Sequence, residues 1–288
     1  MNSKLSIGLG LLVAAFSVSV ASADAFLLQD DFTSIDTTSV WTNSKTPGAN
    51  TVSVPFGTTD ARFTVGSPNS SQRTFLTTQA TNINPFDGVL TVNLNGLSAD
   101  AGVAAPTGNG NRTFFAMVGM ANNDTVANFY ATTGTSTLNE NGALALLVKL
   151  GSSGSYTMEV IDYGASTVSV SFGLTSIPTD ISFEIDGAAK TWSATLTGST
   201  FVGGGATQAG TFSNYTEGSV SRLSIGAVNL GGASGDYSSS GTTYYLDGIS
   251  ISQAAIPEPS ATVALMGLGA LVPLMGRHFS RRSVAERK

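Results

Sequence analysis

The chain has no cysteine and a single histidine, His278. Without thiols there is no disulfide staple, no thiolate nucleophile and no cysteine-ligated zinc. Because the one imidazole lies at position 278, residues 24–255 hold none. That excludes Ser-His-Asp catalysis and histidine-bound metals from this stretch. Charge is also scarce, at 11% of residues, and it is lopsided. Between Asp24 and Ala255, 7 bases (Lys45, Arg62, Arg73, Arg112, Lys149, Lys190 and Arg222) face 17 of the chain's 19 acids, a balance of about −10. Such a surface repels phosphate, so a nucleic acid is excluded as partner. Between the two ends of the chain no segment has a convincing helical pattern.

The first end, 1–23, reads as a signal peptide. Lys4 supplies a positive start, Leu5 to Val20 is apolar, and Ala21-Ser22-Ala23 is a small-x-small cleavage site. Signal peptidase is the expected partner, and Asp24 the expected mature start.

The other end, 256–288, has three parts in order. Ile256-Pro257-Glu258-Pro259-Ser260 is a stiff spacer, since its prolines fix φ and donate no hydrogen bond. Ala261 to Met275 is an apolar run that predicts a membrane-seeking helix over about 261–279. A basic tail, 277–288, carries Arg277, Arg281, Arg282, Arg287 and Lys288, which resist translocation and stay cytoplasmic. The uncharged part spans about 24 Å as a helix, and about 28 Å if it runs to Phe279, against a hydrocarbon core of about 30 Å. The predicted anchor is therefore marginal in length, which suits a segment meant to be cut.

This arrangement resembles the PEP-CTERM sorting signal of exopolysaccharide-producing Gram-negative bacteria. The resemblance covers about 33 of the 288 residues. It implies recognition by an exosortase, with Pro257, Glu258, Pro259 and Ser260 as the sorting motif. Arg277, Arg281 and Arg282 become the basic anchor. It also implies a transient stay at the inner membrane, then release to the cell surface or beyond, with exopolysaccharide as a further candidate partner.

The intervening residues, 24–255, read as one all-β domain. Short period-2 strands are expected at Val52–Phe56, Ala61–Val65, Val89–Leu94, Thr113–Met120, Asn128–Thr132, Tyr156–Tyr163 and Thr167–Leu174. Phe75–Thr78 is a weak strand, and Ala143–Leu150 is a buried one. The clearest hairpin sets Ile181, Phe183 and Ile185 against Trp192, Ala194 and Leu196, with Asp186-Gly187-Ala188-Ala189-Lys190 turning the chain. About a dozen strands with Gly/Asn/Ser turns predict a two-sheet antiparallel β-sandwich. Asp30-Asp31-Phe32 followed by Trp41, the hairpin FEIDGAAKTWSATL and the closing YLDGISIS resemble a concanavalin-A-like jelly roll of the laminin-G or lectin/glucanase kind.

Family-16-type glycosidases on that fold carry Glu-x-Asp-x-(x)-Glu on one strand. Here Glu184 and Asp186 share a face, but Gly187, Ala188 and Ala189 stand where the third acid would be. A retaining mechanism needs two carboxyls roughly 5.5 Å apart, so no catalytic residue is assigned. Asp30 and Asp31, or Asp236 and Asp247, are oxygen donors for a structural calcium ion. That ion needs six to eight oxygens, no dense Asp-x-Asp loop exists, and no metal ligand or cofactor site is assigned. Trp41, Trp192, Tyr237, Tyr244 and Tyr245 are candidates for a sugar-stacking platform, with core packing the alternative for Trp192. The expectation is a non-enzymatic exported envelope or matrix protein. A lectin-like module is the alternative, and a divergent glycosidase is disfavoured.

Overall fold

The computed structural model describes residues 25–35, 39–45, 51–55, 58–65, 72–79, 83–100, 112–121, 143–150, 154–164, 168–218, 222–230 and 242–254. They form seventeen strands and contain no helix. In chain order these are β1 (Ala25–Asp30), β2 (Trp41–Lys45), β3 (Thr51–Ser53), β4 (Ala61–Val65), β5 (Gln72–Thr78) and β6 (Leu90–Asn95). Next come β7 (Ser98–Ala99), β8 (Arg112–Ala121), β9 (Ala143–Leu150), β10 (Tyr156–Tyr163), β11 (Val168–Leu174) and β12 (Asp180–Asp186). The last are β13 (Thr191–Thr197), β14 (Thr207–Thr211), β15 (Arg222–Leu230), β16 (Thr242–Leu246) and β17 (Gly248–Gln253).

All strand pairings among the described residues are antiparallel. One sheet runs β1-β17-β6-β12-β13-β14, a second runs β11-β10-β9-β8-β15-β5-β2, and a small third runs β3-β4-β16-β7. The two larger sheets share one core. The first contributes Val92, Phe183, Ile185 and Trp192, and the second contributes Leu76, Leu146, Val160 and Ile225. Each fully buried side chain of this size contributes about 1.5–3 kcal/mol by leaving water.

Period-2 patterning explains the elements it predicts. Leu90, Val92 and Leu94 are buried while Thr91 and Asn93 are half-exposed, and β12 and β13 alternate in the same way. β9 is buried on both faces, as its apolar run Ala143–Val148 requires. Its Lys149 is buried too, and donates to Glu159 on the neighbouring β10.

Three differences from expectation have physical reasons. β5 extends from Gln72 to Thr78, longer than its weak pattern suggests. Its buried Thr77 hydroxyl hydrogen-bonds Ser224 at 2.7 Å, so a polar residue sits inside at little cost. The third sheet adds to the expected two because β4 meets β16, 177 or more residues later in the chain. In β11, Val168 and Val170 do share a face with Phe172 and Leu174, but only Leu174 is buried, because β11 ends its sheet. The expected strand at 128–132, the signal segment 1–23 and the apolar helix at 261–279 lie outside the described residues. Among the described residues no helix is long and apolar enough to cross a membrane.

Candidate functional site

The hairpin β12–β13 positions the carboxylates that the sequence singles out. Ile181, Phe183 and Ile185 point into the core opposite Leu196, Ala194 and Trp192. Glu184 and Asp186 therefore stand on the outer face of the six-stranded sheet, opposite Ser193 and Thr191. The turn is fixed from several sides. Asp186 Oδ1 accepts the Ala189 N–H at 2.8 Å, and Gly187 N–H donates to Pro85 O at 2.8 Å. Lys190 has φ 58°, unusual for a residue with a side chain. Its ammonium donates to Tyr215 O at 2.9 Å and lies 5.2 Å from the Phe86 ring and 5.6 Å from the Phe212 ring. Those contacts hold the strained residue in place.

Glu184 is exposed and accepts the Ser193 hydroxyl at 2.9 Å. Its cross-strand neighbour on β6 is Thr91. Beside it lies an open hollow of about 290 Å³, lined by Trp192, Val89, Asp186, Thr191 and Ser193 among others as well as Glu184. The registers extend this face across the sheet as rows of hydroxyls and amides. One row runs Gln29, Ser250, Asn93, Ser182, Thr195, Thr207. Asn93 Nδ2 donates to Ser250 Oγ at 3.2 Å, and the Thr195 and Thr207 hydroxyls are 3.0 Å apart. The surface is thus rich in groups that exchange hydrogen bonds with a polyol. Only two carboxylates line the hollow, and one of them holds the turn.

Ala188 and Ala189, where the spacing of the motif puts its third acid, are exposed in the turn, and Gly187 before them is closed to a side chain. A Cβ on Gly187 would lie 2.6 Å from the Phe86 ring and 2.7 Å from Pro85 O. Among the described residues the aromatic candidates form no exposed platform, although Trp192 lines the hollow. Trp41, Trp192 and Tyr244 are buried. Tyr245 donates its hydroxyl to Asp100 at 2.5 Å under the Arg62 guanidinium, and Tyr237 lies outside the described residues.

Asp30 is a structural anchor. Oδ1 accepts the Phe32 N–H at 2.8 Å and Oδ2 accepts the Trp41 indole N–H at 2.7 Å. The Asp-Asp-Phe…Trp pattern is therefore one local knot, with the two rings 6.3 Å apart. Asp31 accepts the Thr33 N–H at 3.3 Å, and Asp236 lies outside the described residues. Asp247 is held above the usual carboxylate range by desolvation, then by the charges of Asp60 and Asp180. Asp60 is held below it, chiefly by the hydrogen bond from Arg62. Among the described residues no three Asp, Glu, His or Cys side chains converge as a metal ligand set.

Asp162 was not singled out by sequence. It is buried, and its carboxylate accepts the N–H groups of Ser213 at 2.7 Å, Asn214 at 2.8 Å and Tyr215 at 2.8 Å. This ties β10 of one sheet to the loop that follows β14 of the other. The only signal was a second acid, after Glu159, in a strand that is otherwise largely apolar.

The expected sorting residues Pro257, Glu258, Pro259 and Ser260, the expected basic residues Arg277, Arg281 and Arg282, and the expected cleavage residues Ala21 and Ala23 all lie outside the described residues. The first two groups fall within the span of a family match. The family described as the PEP-CTERM protein-sorting motif matches residues 255–282. This stretch is a PEP-CTERM sorting motif. The motif implies an exported chain, anchored at a membrane for sorting and processed by an exosortase. No curated protein matches the sequence.

Among solved structures, the β-rich unit is similar to the catalytic domain of an endo-1,3-β-glucanase (laminarinase) from Thermotoga petrophila. Identity is 12% and TM-score 0.49, over 82% of this chain and 100% of that one. It is also similar to a lectin from Bauhinia forficata, with 12% identity and TM-score 0.44 over 81% and 99%. LamA from Z. galactanivorans follows with 10% identity and TM-score 0.45 over 79% and 98%. Neither the substrates nor the site residues of those proteins are assigned to this one.

Proposed function

We propose that this is a non-enzymatic cell-envelope or extracellular-matrix protein, delivered by PEP-CTERM sorting. The observation that carries this reading is the motif match at 255–282. Residues 1–23 act as a signal peptide cut after Ala23, residues 24–255 form a jelly-roll β-sandwich, and residues 256–288 carry the sorting motif and its helix. The helix, about 261–279, holds the chain at the inner membrane until an exosortase acts near Pro257-Glu258-Pro259. Arg277, Arg281 and Arg282 keep its end cytoplasmic. The histidine- and thiol-free sequence of the domain supports a non-enzymatic role. So does the turn-holding role of Asp186, which leaves Glu184 as the other acid at the hollow.

The test is to replace Pro257, Glu258 and Pro259 by alanine in the full chain and fractionate the cells. Retention of the variant in the inner membrane, while the parent leaves it, is the expected result. Equal distribution of the two refutes sorting through this motif.

A second reading is favoured by one observation, the hydroxyl- and amide-lined face beside Glu184. On this reading the domain binds a neutral polysaccharide through hydrogen bonds to sugar hydroxyls. Glu184→Gln removes the charged acceptor from an exposed position, so it is expected to change stability by less than about 0.5 kcal/mol. It should weaken glycan binding several-fold on an array. Binding unaffected by the substitution removes Glu184 from the site.

A further inference from the structure

β11 ends the seven-stranded sheet. One side pairs with β10, and among the described residues no strand pairs with the other from Val168 to Phe172. This free edge is bounded. Leu174 bridges Phe201, Val202 N–H donates to Gly173 O at 2.8 Å, and Thr175 N–H donates to Thr200 O at 2.9 Å. Gly173 and Thr175 therefore turn peptide groups away from β10. By the two-residue repeat of a strand, Ser169 and Ser171 do the same. Their N–H and C=O groups point along the open edge.

This edge lacks the usual devices that keep an edge single. Val168–Phe172 contains no lysine, no proline and no bulge. Val168 and Val170 are 50% and 41% exposed, and Val202 beside them is 71% exposed. Charge is absent as well. From Ala165 to Thr179 there is no charged residue, although the domain as a whole is strongly acidic. Two copies can meet here without opposing like charges.

In Val-Ser-Val-Ser-Phe the alternation of apolar and polar residues is symmetric about Val170. We infer that the β11 edge is where two copies of this chain pair, antiparallel, about a twofold axis at Val170. In that register Ser169 and Ser171 exchange peptide hydrogen bonds with Ser171 and Ser169 of the other copy. Val170 meets Val170, and Val168 meets Phe172. The contact is isologous, as a closed dimer requires. It is also small, below the roughly 1,200 Å² of a standard interface, so pairing strengthens with local concentration.

The cysteine-free sequence gives a direct test. The Val170 pair is of the non-hydrogen-bonded kind, with Cα atoms about 4.5 Å apart, within disulfide reach. The full chain carrying Val170→Cys, purified after export, is oxidised with diamide. Ser169→Cys and Ser171→Cys are treated alone and as a mixture, with circular dichroism to confirm folding. The expected result is disulfide dimer from Val170→Cys at least tenfold faster than from either serine variant alone, and dimer from their mixture. Val170→Lys in the parent should shift sedimentation toward monomer. Equal rates for all three single variants, or sedimentation unchanged by Val170→Lys, overturns the pairing.

Discussion

Asp162 shows what a single buried carboxylate does in this fold. Three backbone N–H groups of the 213–215 loop end on its two oxygens. Asp162→Ala leaves those donors without that acceptor, the Tyr215 N–H in a buried place and the other two part-buried, at a cost of about 3 kcal/mol. For a domain of this size the expected fall in Tm is roughly 6–12 °C by calorimetry. A fall under about 2 °C would mean that the loop finds other acceptors. The neighbouring Gly164 belongs to the same arrangement, since a Cβ there would lie 2.5 Å from the Asn214 side chain.

Asp247 supplies a pH-dependent prediction. Its folded pKa is raised, by desolvation first, so ionisation opposes folding. Its contribution to stability is complete below the unfolded value near 3.9 and is lost as pH rises through the raised folded value. Asp247→Asn is therefore expected to raise Tm at pH 7 by about 1–2 °C, a small gain because the group is exposed. The gain should vanish toward pH 3. A gain that persists there would point to packing instead of charge. Asp60 works in the opposite sense. Its lowered pKa, owed first to Arg62, contributes above the unfolded value and is lost as pH falls through the folded one.

The hairpin β12–β13 was legible because everything it needs is local. Its alternation sets the faces, and Gly187 to Lys190 makes the turn. What sequence could not show is the neighbour above Gly187, Phe86, which arrives from a hundred residues upstream. A side chain placed there, as in Gly187→Glu, is expected to cost about 2 kcal/mol by overpacking, seen in urea unfolding. Stability equal to the parent would show that Phe86 yields freely. β11 was half legible. Periodicity reported that Val168 and Val170 share a face, but not that the sheet ends there. The four-stranded sheet and the buried Thr77–Ser224 hydrogen bond depend on partners far along the chain, which no local pattern encodes.

Over the whole molecule, the sorting motif was the most readable part, because an enzyme that recognises a short exported tail must find its signal in contiguous residues. The all-β character came through for a related reason, since solvent on one side and core on the other impose period 2 on each strand. The hollow beside Glu184 was less visible. It is made by β12, β13, β14 and Val89 together, and only the first two are a local unit. On the proposed reading, the chain is delivered by an address near position 257 and then separated from it. Intact mass spectrometry of the protein from cells with and without the processing enzyme tests this most directly. The expected mature chain starts at Asp24 and ends near Pro259 only when the enzyme is present. A mature mass that still includes Lys288 in cells containing the enzyme would contradict it.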